Sequence, residues 1–219
     1  MKIFNTVLAL LLMSGTAIFF SGSLQSDSQA PLRAATSISP VVAPIQKQTN
    51  QALALSAEEQ IGKTRYYDPA YVSLSYPGGD VDIERGVCSD VVIRALRQQG
   101  ADLQQLVHQD MKGNFSSYPR IWGLKKPDTN IDHRRVPNLE TYFKRHKMEQ
   151  PVSLNARDYL PGDIVSWRLD NGLPHIGIVT DRYTREGRPL VVHNIGSGAR
   201  AEDILFLWKI NGHYRYFNK

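Results

Sequence analysis

Three residue types that make covalent acyl chemistry occur at telling places in this chain. The single cysteine, Cys88, stands in "GVCSDVVIRALRQQG" (86–100), just where a helix is predicted to begin. A helix start offers unpaired N–H groups and the positive end of the macrodipole, which stabilise a thiolate and lower its pKa below the free value of about 8.5. The same N–H groups can bind an oxyanion. A nucleophile also needs a base, and the base an orienting partner. His175 opens "HIGIV" and His193 ends "PLVVHN". On a strand, His175, Gly177 and Val179 share one face, with Gly177 clearing space beside the imidazole, while Ile176 and Ile178 claim the core from the other. His193 shares a face with Val191, so histidines on neighbouring strands can meet and both face a helix carrying Cys88. Asn194 is the rival third member, because apolar residues flank both positions. Two further readings stay open for Cys88: a buried, inert thiol, or a zinc ligand with His175, His193 and an acid. No CxxC or HExxH pair supports zinc.

The elements that must position these residues change character near residue 150. Before it the spacing is helical. "LSAEEQIGKTR" (55–65) reads as a short helix with Ser56 as cap. Tyrosine-rich 66–86 is loop-like, with Asp-Pro and Pro-Gly-Gly turn signals. In the cysteine segment Val91, Val92, Ala95 and Leu96 share the stripe of Cys88, Arg94, Arg97, Gln98 and Gln99 take the other side, and Gly100 stops the helix. Two more helices are predicted at "DLQQLVHQDMKG" and at "VPNLETYFKRHK", the latter with Pro137 in its first turn. After residue 150, "GDIVSWRL" (162–169), "HIGIVTDRY" (175–183), "PLVVHNI" (189–195), "DILFLWKI" (203–210) and "HYRYFN" (213–218) are β-branched and aromatic runs. The turns "DNGLP", "TREGR", "GSGARAE" and "NG" separate them. Helices followed by an antiparallel meander make an α+β pattern.

The N-terminus reads as a targeting segment. Lys2 precedes the apolar run "IFNTVLALLLMSGTAIFF", and Ser21 and Ser23 suit cleavage, so 1–23 is expected to be a signal peptide or an uncleaved anchor. Residues 24–51, rich in Ser, Ala, Gln and Pro, read as a disordered linker. The folded domain is expected over 52–219, in an exported, periplasmic or cell-envelope protein that meets the membrane only if its N-terminal segment stays uncleaved. Of the five excess positive charges, Lys2, Arg33 and Lys47 against Asp27 take two into the first 51 residues. The mild remainder gives no case for nucleic acid and suits an anionic substrate or cell-surface polymer. One cysteine cannot form an internal disulfide. No dinucleotide fingerprint appears, and no cofactor is expected.

"TNIDHRRVPNL" (129–139) sets His133, Arg134 and Arg135 beside a helix start. A double-arginine loop can bind carboxylates in bidentate fashion, or its arginines can make salt bridges with acidic loops such as 80–84. Tyr66, Tyr67, Tyr71 and Tyr76 either line a cleft or pack.

"GVCSDVVIRAL … LPGDIVSW … LPHIGIV … VVHN" resembles the NlpC/P60 superfamily of cell-wall cysteine peptidases and amidases. In finer detail "GVCSDVVIRA", "DLQQLVHQDM", "NIDHRRVPNL", "PGDIVSW" and "HNIGSG" resemble an exported bacterial family, domain-of-unknown-function family 1287. The resemblance covers about 52–219. It implies a papain-like fold, with N-terminal helices packed on a C-terminal antiparallel sheet. It implies that Cys88 attacks a carbonyl, that His175 is the base and that His193 orients His175. The implied reaction is hydrolysis of an amide in cell-wall (peptidoglycan) or other envelope peptide through a thioester. The alternatives are an acyltransferase or esterase using the same residues, and a non-catalytic envelope-binding module. Stem-peptide carboxylates would then be ligands for His133, Arg134 and Arg135. One departure stands out. The superfamily has Asp before the cysteine and Ser-Gly after it, whereas here Val87 precedes and Ser89-Asp90 follow. Asp90 is expected to cap the helix or to salt-bridge its surface.

Overall fold

The computed structural model describes residues 48–217. The expected signal peptide or anchor (1–23) lies outside the described residues, as does most of the expected linker. The linker's last residues are structured. The Thr49 side chain accepts the Ala52 N–H at 3.1 Å and starts α1 (Asn50–Glu58), whose Ala52, Leu53, Ala54 and Ala57 are buried. The apolar face therefore begins earlier than the predicted 55–65 helix. Ser56, expected as its cap, is buried inside α1 and accepts a 2.8 Å hydrogen bond from Gln99.

The tyrosine-rich loop is closed at its ends by a short parallel pair, β1 (Tyr66–Tyr67) and β2 (Arg85–Gly86). The next helix, α2 (Cys88–Gln98), buries the predicted stripe and part of its polar side. Arg94 is buried, bonded to Asp80 at 2.8 Å and to the carbonyls of Val81, Asp82 and Arg85. Loop 80–85 thus wraps a cation that the helical pattern had assigned to solvent. Next come α3 (Leu103–Asn114), capped by Asp102, and α4 (Val136–Arg145), with Pro137 in its first turn as expected.

The sheet comprises β3 (Glu149–Gln150), β4 (Ile164–Arg168), β5 (Pro174–Tyr183), β6 (Pro189–Asn194), β7 (Ala199–Glu202) and β8 (Lys209–Tyr214). Its order is β3-β8-β4-β5-β6-β7, with antiparallel pairing throughout. The expected α+β arrangement, helices first and antiparallel sheet after, is what forms. The meander holds only from β4 to β7. Residues expected as the turn "GSGARAE" contain β7, and most of the expected strand 203–210 is irregular. Asn211-Gly212 is not a hairpin turn but a bulge inside β8, opposite Ser166 and Trp167. A Cβ at Gly212 would lie 2.1 Å from the Tyr214 hydroxyl, which explains the glycine.

Each sheet face has its own core. The helices cover Ile164, Ile176, Ile178, Val192 and Tyr214. Tyr159, Val165, Trp167, Val179, Val191 and Leu205 form the other. Each aliphatic side chain so buried contributes about 1.5–3 kcal/mol, enough together to hold α2 firmly against β5. Among the described residues no helix is long and apolar enough to cross a membrane.

Candidate active site

Cys88 is the first residue of α2, as the sequence predicted. Val87 at the N-cap has no capping side chain. Asp90, three residues on, accepts the Val87 N–H at 2.7 Å and anchors the helix start from within. Its carboxylate also takes both arms of Arg134, Nε and Nη2, each at 2.9 Å. Both side chains of this pair are almost wholly buried. The Ser89 hydroxyl donates to the Arg134 carbonyl at 2.7 Å. The segment before α4 is thereby bolted to the turn that presents the thiol.

The thiol is 5% exposed. Backbone N–H groups of Ile176, Ser89 and Cys88 favour its thiolate, but burial outweighs them and pushes the thiol up to about 12. The expectation of a lowered pKa is corrected here: the helix start does supply donors, yet the site is too enclosed for them to prevail.

His175 and His193 meet. Nε2 of His175 lies 2.9 Å from Nδ1 of His193, the rings standing at 87°. On the far side Nε2 of His193 lies 2.8 Å from Oε2 of Glu202. Burial, with the neighbouring His193, pushes His175 down to about 3. Burial also lowers His193, although Glu202 pulls the other way. Both histidines were expected to face the helix. Strand alternation instead puts Ile176 and Ile178 there and turns the imidazoles to the opposite side of the sheet, where His175 packs near Trp167 and Trp208. Gly177 makes room for β6 rather than for His175: a Cβ there would sit 2.7 Å from Val191 Cγ1 and 3.2 Å from His193 Cβ.

Cys88 and His175 nevertheless line one cleft of about 550 Å³, because α2 starts beside the first residues of β5. Its walls include Tyr67, Trp122, Arg135 and Leu173. Among the described residues no hydrogen bond joins the thiol to either imidazole. Asn194 faces the other way, its amide donating to the Gly86 carbonyl at 3.0 Å. It tethers the approach to Cys88 and does not touch His175.

The double-arginine loop divides. Arg134, expected to bind substrate, is committed to Asp90, because a buried guanidinium requires a buried carboxylate. His133 is buried, outside the cleft lining, and burial pushes it down to about 4; its expected contact with substrate is corrected too. Both arginines border the cleft, but the Arg134 guanidinium is spent on Asp90, whereas Arg135 stacks 4.2 Å from the Trp122 ring and is held by Asp132 at 3.0 Å. Of the four tyrosines, Tyr67 alone lines the cleft. Glu202 was not foreseen, and neither was Trp122. Among the described residues no group of three or more His, Cys, Asp or Glu is placed to hold a metal ion.

The model of the domain-of-unknown-function family DUF1287 matches residues 54–216. The chain belongs to this family. A relative described as the uncharacterized protein YijF, of Escherichia coli strain K12, is 60% identical over 211 residues, 96% of this chain and 98% of YijF. Among solved structures, NlpC1 of Trichomonas vaginalis is similar over 76% of this chain and 45% of its own, at 16% identity and TM-score 0.38. NlpC2 of the same organism is similar over 80% of this chain and 50% of its own, at 15% identity and TM-score 0.41. The chain thus spans about half the length of these two proteins.

Proposed function

We propose that this DUF1287 protein is a cysteine hydrolase that cleaves an amide bond through a thioester, with an envelope peptide, most simply that of peptidoglycan, as substrate on the exported side of the membrane. The observation that carries the reading is the opening of Cys88 and His175 into one cleft while His193 holds the far nitrogen of His175. In this mechanism His175 takes the thiol proton as sulfur attacks the carbonyl carbon, and the oxyanion forms beside the N–H groups of the helix start. Burial disfavours either charge alone. A proton passing from thiol to imidazole creates two opposite charges side by side, and their attraction offsets part of what burial costs each. The same proton then goes to the amine as the C–N bond breaks, and water releases the acyl group. Arg135, braced by Trp122 and Asp132, is suited to a substrate carboxylate.

A non-catalytic envelope-binding module on this fold is favoured by one observation, the absence of a thiol–imidazole hydrogen bond among the described residues. Incubation of the protein with muropeptides, with products read by mass spectrometry, decides between the two. New cleavage products that vanish in Cys88→Ala support the hydrolase. Binding without products in the wild type supports the module.

A further inference from the structure

His175 of the cleft and His193 behind it continue into a side chain to which the sequence pattern draws no attention. Glu202 is on β7, at the sheet edge, its side chain 42% exposed, and Oε2 meets His193 Nε2 at 2.8 Å. We propose that Glu202 is a positioning residue that fixes the order of protons along the chain Glu202–His193–His175, and so leaves Nδ1 of His175 bare and able to accept the Cys88 proton. This rests on the hydrolase reading only for its consequence in turnover; the proton order itself follows from the hydrogen bonds.

An ionised carboxylate has no proton to donate, so the contact at Glu202 requires a hydrogen on His193 Nε2. A neutral His193 then has a bare Nδ1. That nitrogen accepts across the 2.9 Å contact, so His175 must carry its hydrogen on Nε2. A neutral His175 is therefore unprotonated at Nδ1, for which no protein partner exists among the described residues. Both imidazoles are kept neutral by burial, as the chain requires. Two hydrogen bonds transmit the choice made at an exposed carboxylate to a ring in the cleft. The charged residue paired with His193 across the sheet does not impose this order: Arg200 is directly opposite on β7 but exposed.

The arrangement makes a reversal possible. In Glu202→Lys an ammonium donates to His193 Nε2, which puts the hydrogen on Nδ1. His193 then donates to His175 Nε2, and the hydrogen of His175 moves to Nδ1, where it blocks acceptance from the thiol. In Glu202→Ala neither order is imposed.

The test is nitrogen NMR of the intact protein with ¹⁵N-labelled histidine, signals being assigned from His175 and His193 variants. The expected result is a His175 ring protonated on Nε2 in the wild type, on Nδ1 in Glu202→Lys, and averaged in Glu202→Ala. A wild-type His175 protonated on Nδ1 would overturn the proposal, as would a folded Glu202→Lys or Glu202→Ala with the wild-type pattern. Should the lysine variant not fold, the alanine variant carries the test alone. On an established substrate, kcat should fall by about 10²-fold or more in Glu202→Lys and by about 10-fold in Glu202→Ala. The NMR readout needs no substrate. The expected proton order without turnover on any amide would therefore sink the hydrolase reading alone, and full turnover with the opposite order would sink this one alone.

Discussion

Two histidine–carboxylate assemblies stand on the same sheet, and they end differently. In one, His213 meets Asp163 at 2.7 Å and the Pro151 carbonyl at 3.0 Å, with Tyr159 stacked on its ring. Arg215 closes on the same carboxylate with two bonds of 2.7 and 2.8 Å. Both nitrogens of His213 and both oxygens of Asp163 are engaged within the assembly. In the other, Glu202, His193 and His175 form a line whose last nitrogen has no protein partner among the described residues. The residue types are nearly the same. A network with both ends tied contributes order, whereas one left open at a cavity is available for proton transfer. Having a buried histidine beside an acid therefore does not by itself identify a site.

The largest expected effect falls on the residue that shares the cleft with the open assembly. Cys88→Ala should reduce turnover to background and leave the melting temperature nearly unchanged, since one small buried residue replaces another. Normal activity in that variant would end the nucleophile assignment.

Breaking the closed assembly should do the converse. Asp163→Ala leaves His213 and Arg215 without their partner, and the loss of a buried ionic partner costs about 3–5 kcal/mol. Chemical denaturation should show that loss, while the kcat of the folded fraction stays near wild type. A large kcat defect without destabilisation would erase the distinction between the assemblies.

His193→Ala should lower kcat by about 10²-fold with a modest stability cost. Asn194→Ala, which loses its bonds to the Gly86 and Tyr66 carbonyls and to the Gly196 N–H, should mainly lower the melting temperature. A kcat loss confined to Asn194→Ala would reverse their roles.

Acid should separate the assemblies again. His175 has a folded pKa of about 3, below its ordinary 6.5, so as pH falls the unfolded chain takes up the proton first. Its contribution is complete above about pH 6.5 and drains away as pH falls towards 3. For Asp163 burial alone would raise the carboxyl, but His213 and Arg215 more than compensate, and it sits below 3.8. That contribution survives until pH falls below about 3.8 and is lost through the depressed folded value. Melting temperature against pH should therefore show a decline beginning near pH 6.5 that is smaller in His175→Gln, and a further loss below about pH 3.8 that is smaller in Asp163→Ala.

The smallest effects concern the paired arginines, a second contrast of neighbours. Arg135→Ala should raise KM several-fold, about 1 kcal/mol for a partly exposed charge contact, with some loss of stability because the buried Asp132 carboxylate loses its ion pair. Amidating substrate carboxylates should reproduce it in the wild type. Arg134→Ala should lower stability and show no KM effect of its own.

How far the sequence reached depends on what each feature needs. Cys88 at a helix start follows from period and breakers within fifteen residues. Facing histidines follow from alternation on adjacent strands, although which side of the sheet they face does not, because Val191 and Val192 are both buried apolar residues. Glu202 was illegible: it lies diagonally across the β6–β7 pairing from His193, in a stretch whose Gly-Ser-Gly prelude reads as a turn. Arg134 and Arg135 are identical in type and adjacent. What separates them is Asp90, 44 positions away, whose carboxylate one of them can reach. Asn-Gly in β8 misled because its chemistry fits a hairpin as well as a bulge, and Tyr214 packing over the glycine decides the matter.

The enclosure of Cys88 also bears on damage. Peroxide and other oxidants attack the thiolate, and the first product, a sulfenic acid, opens the route to irreversible sulfinic and sulfonic states. A thiol that is 5% exposed and held protonated up to about 12 offers them almost no target. The chain has no second cysteine to resolve a sulfenic acid as an internal disulfide. Its protection is therefore preventive rather than reparative. In a catalytic cycle the sulfur would become vulnerable only at the moment it becomes reactive, with the cleft already filled by its target.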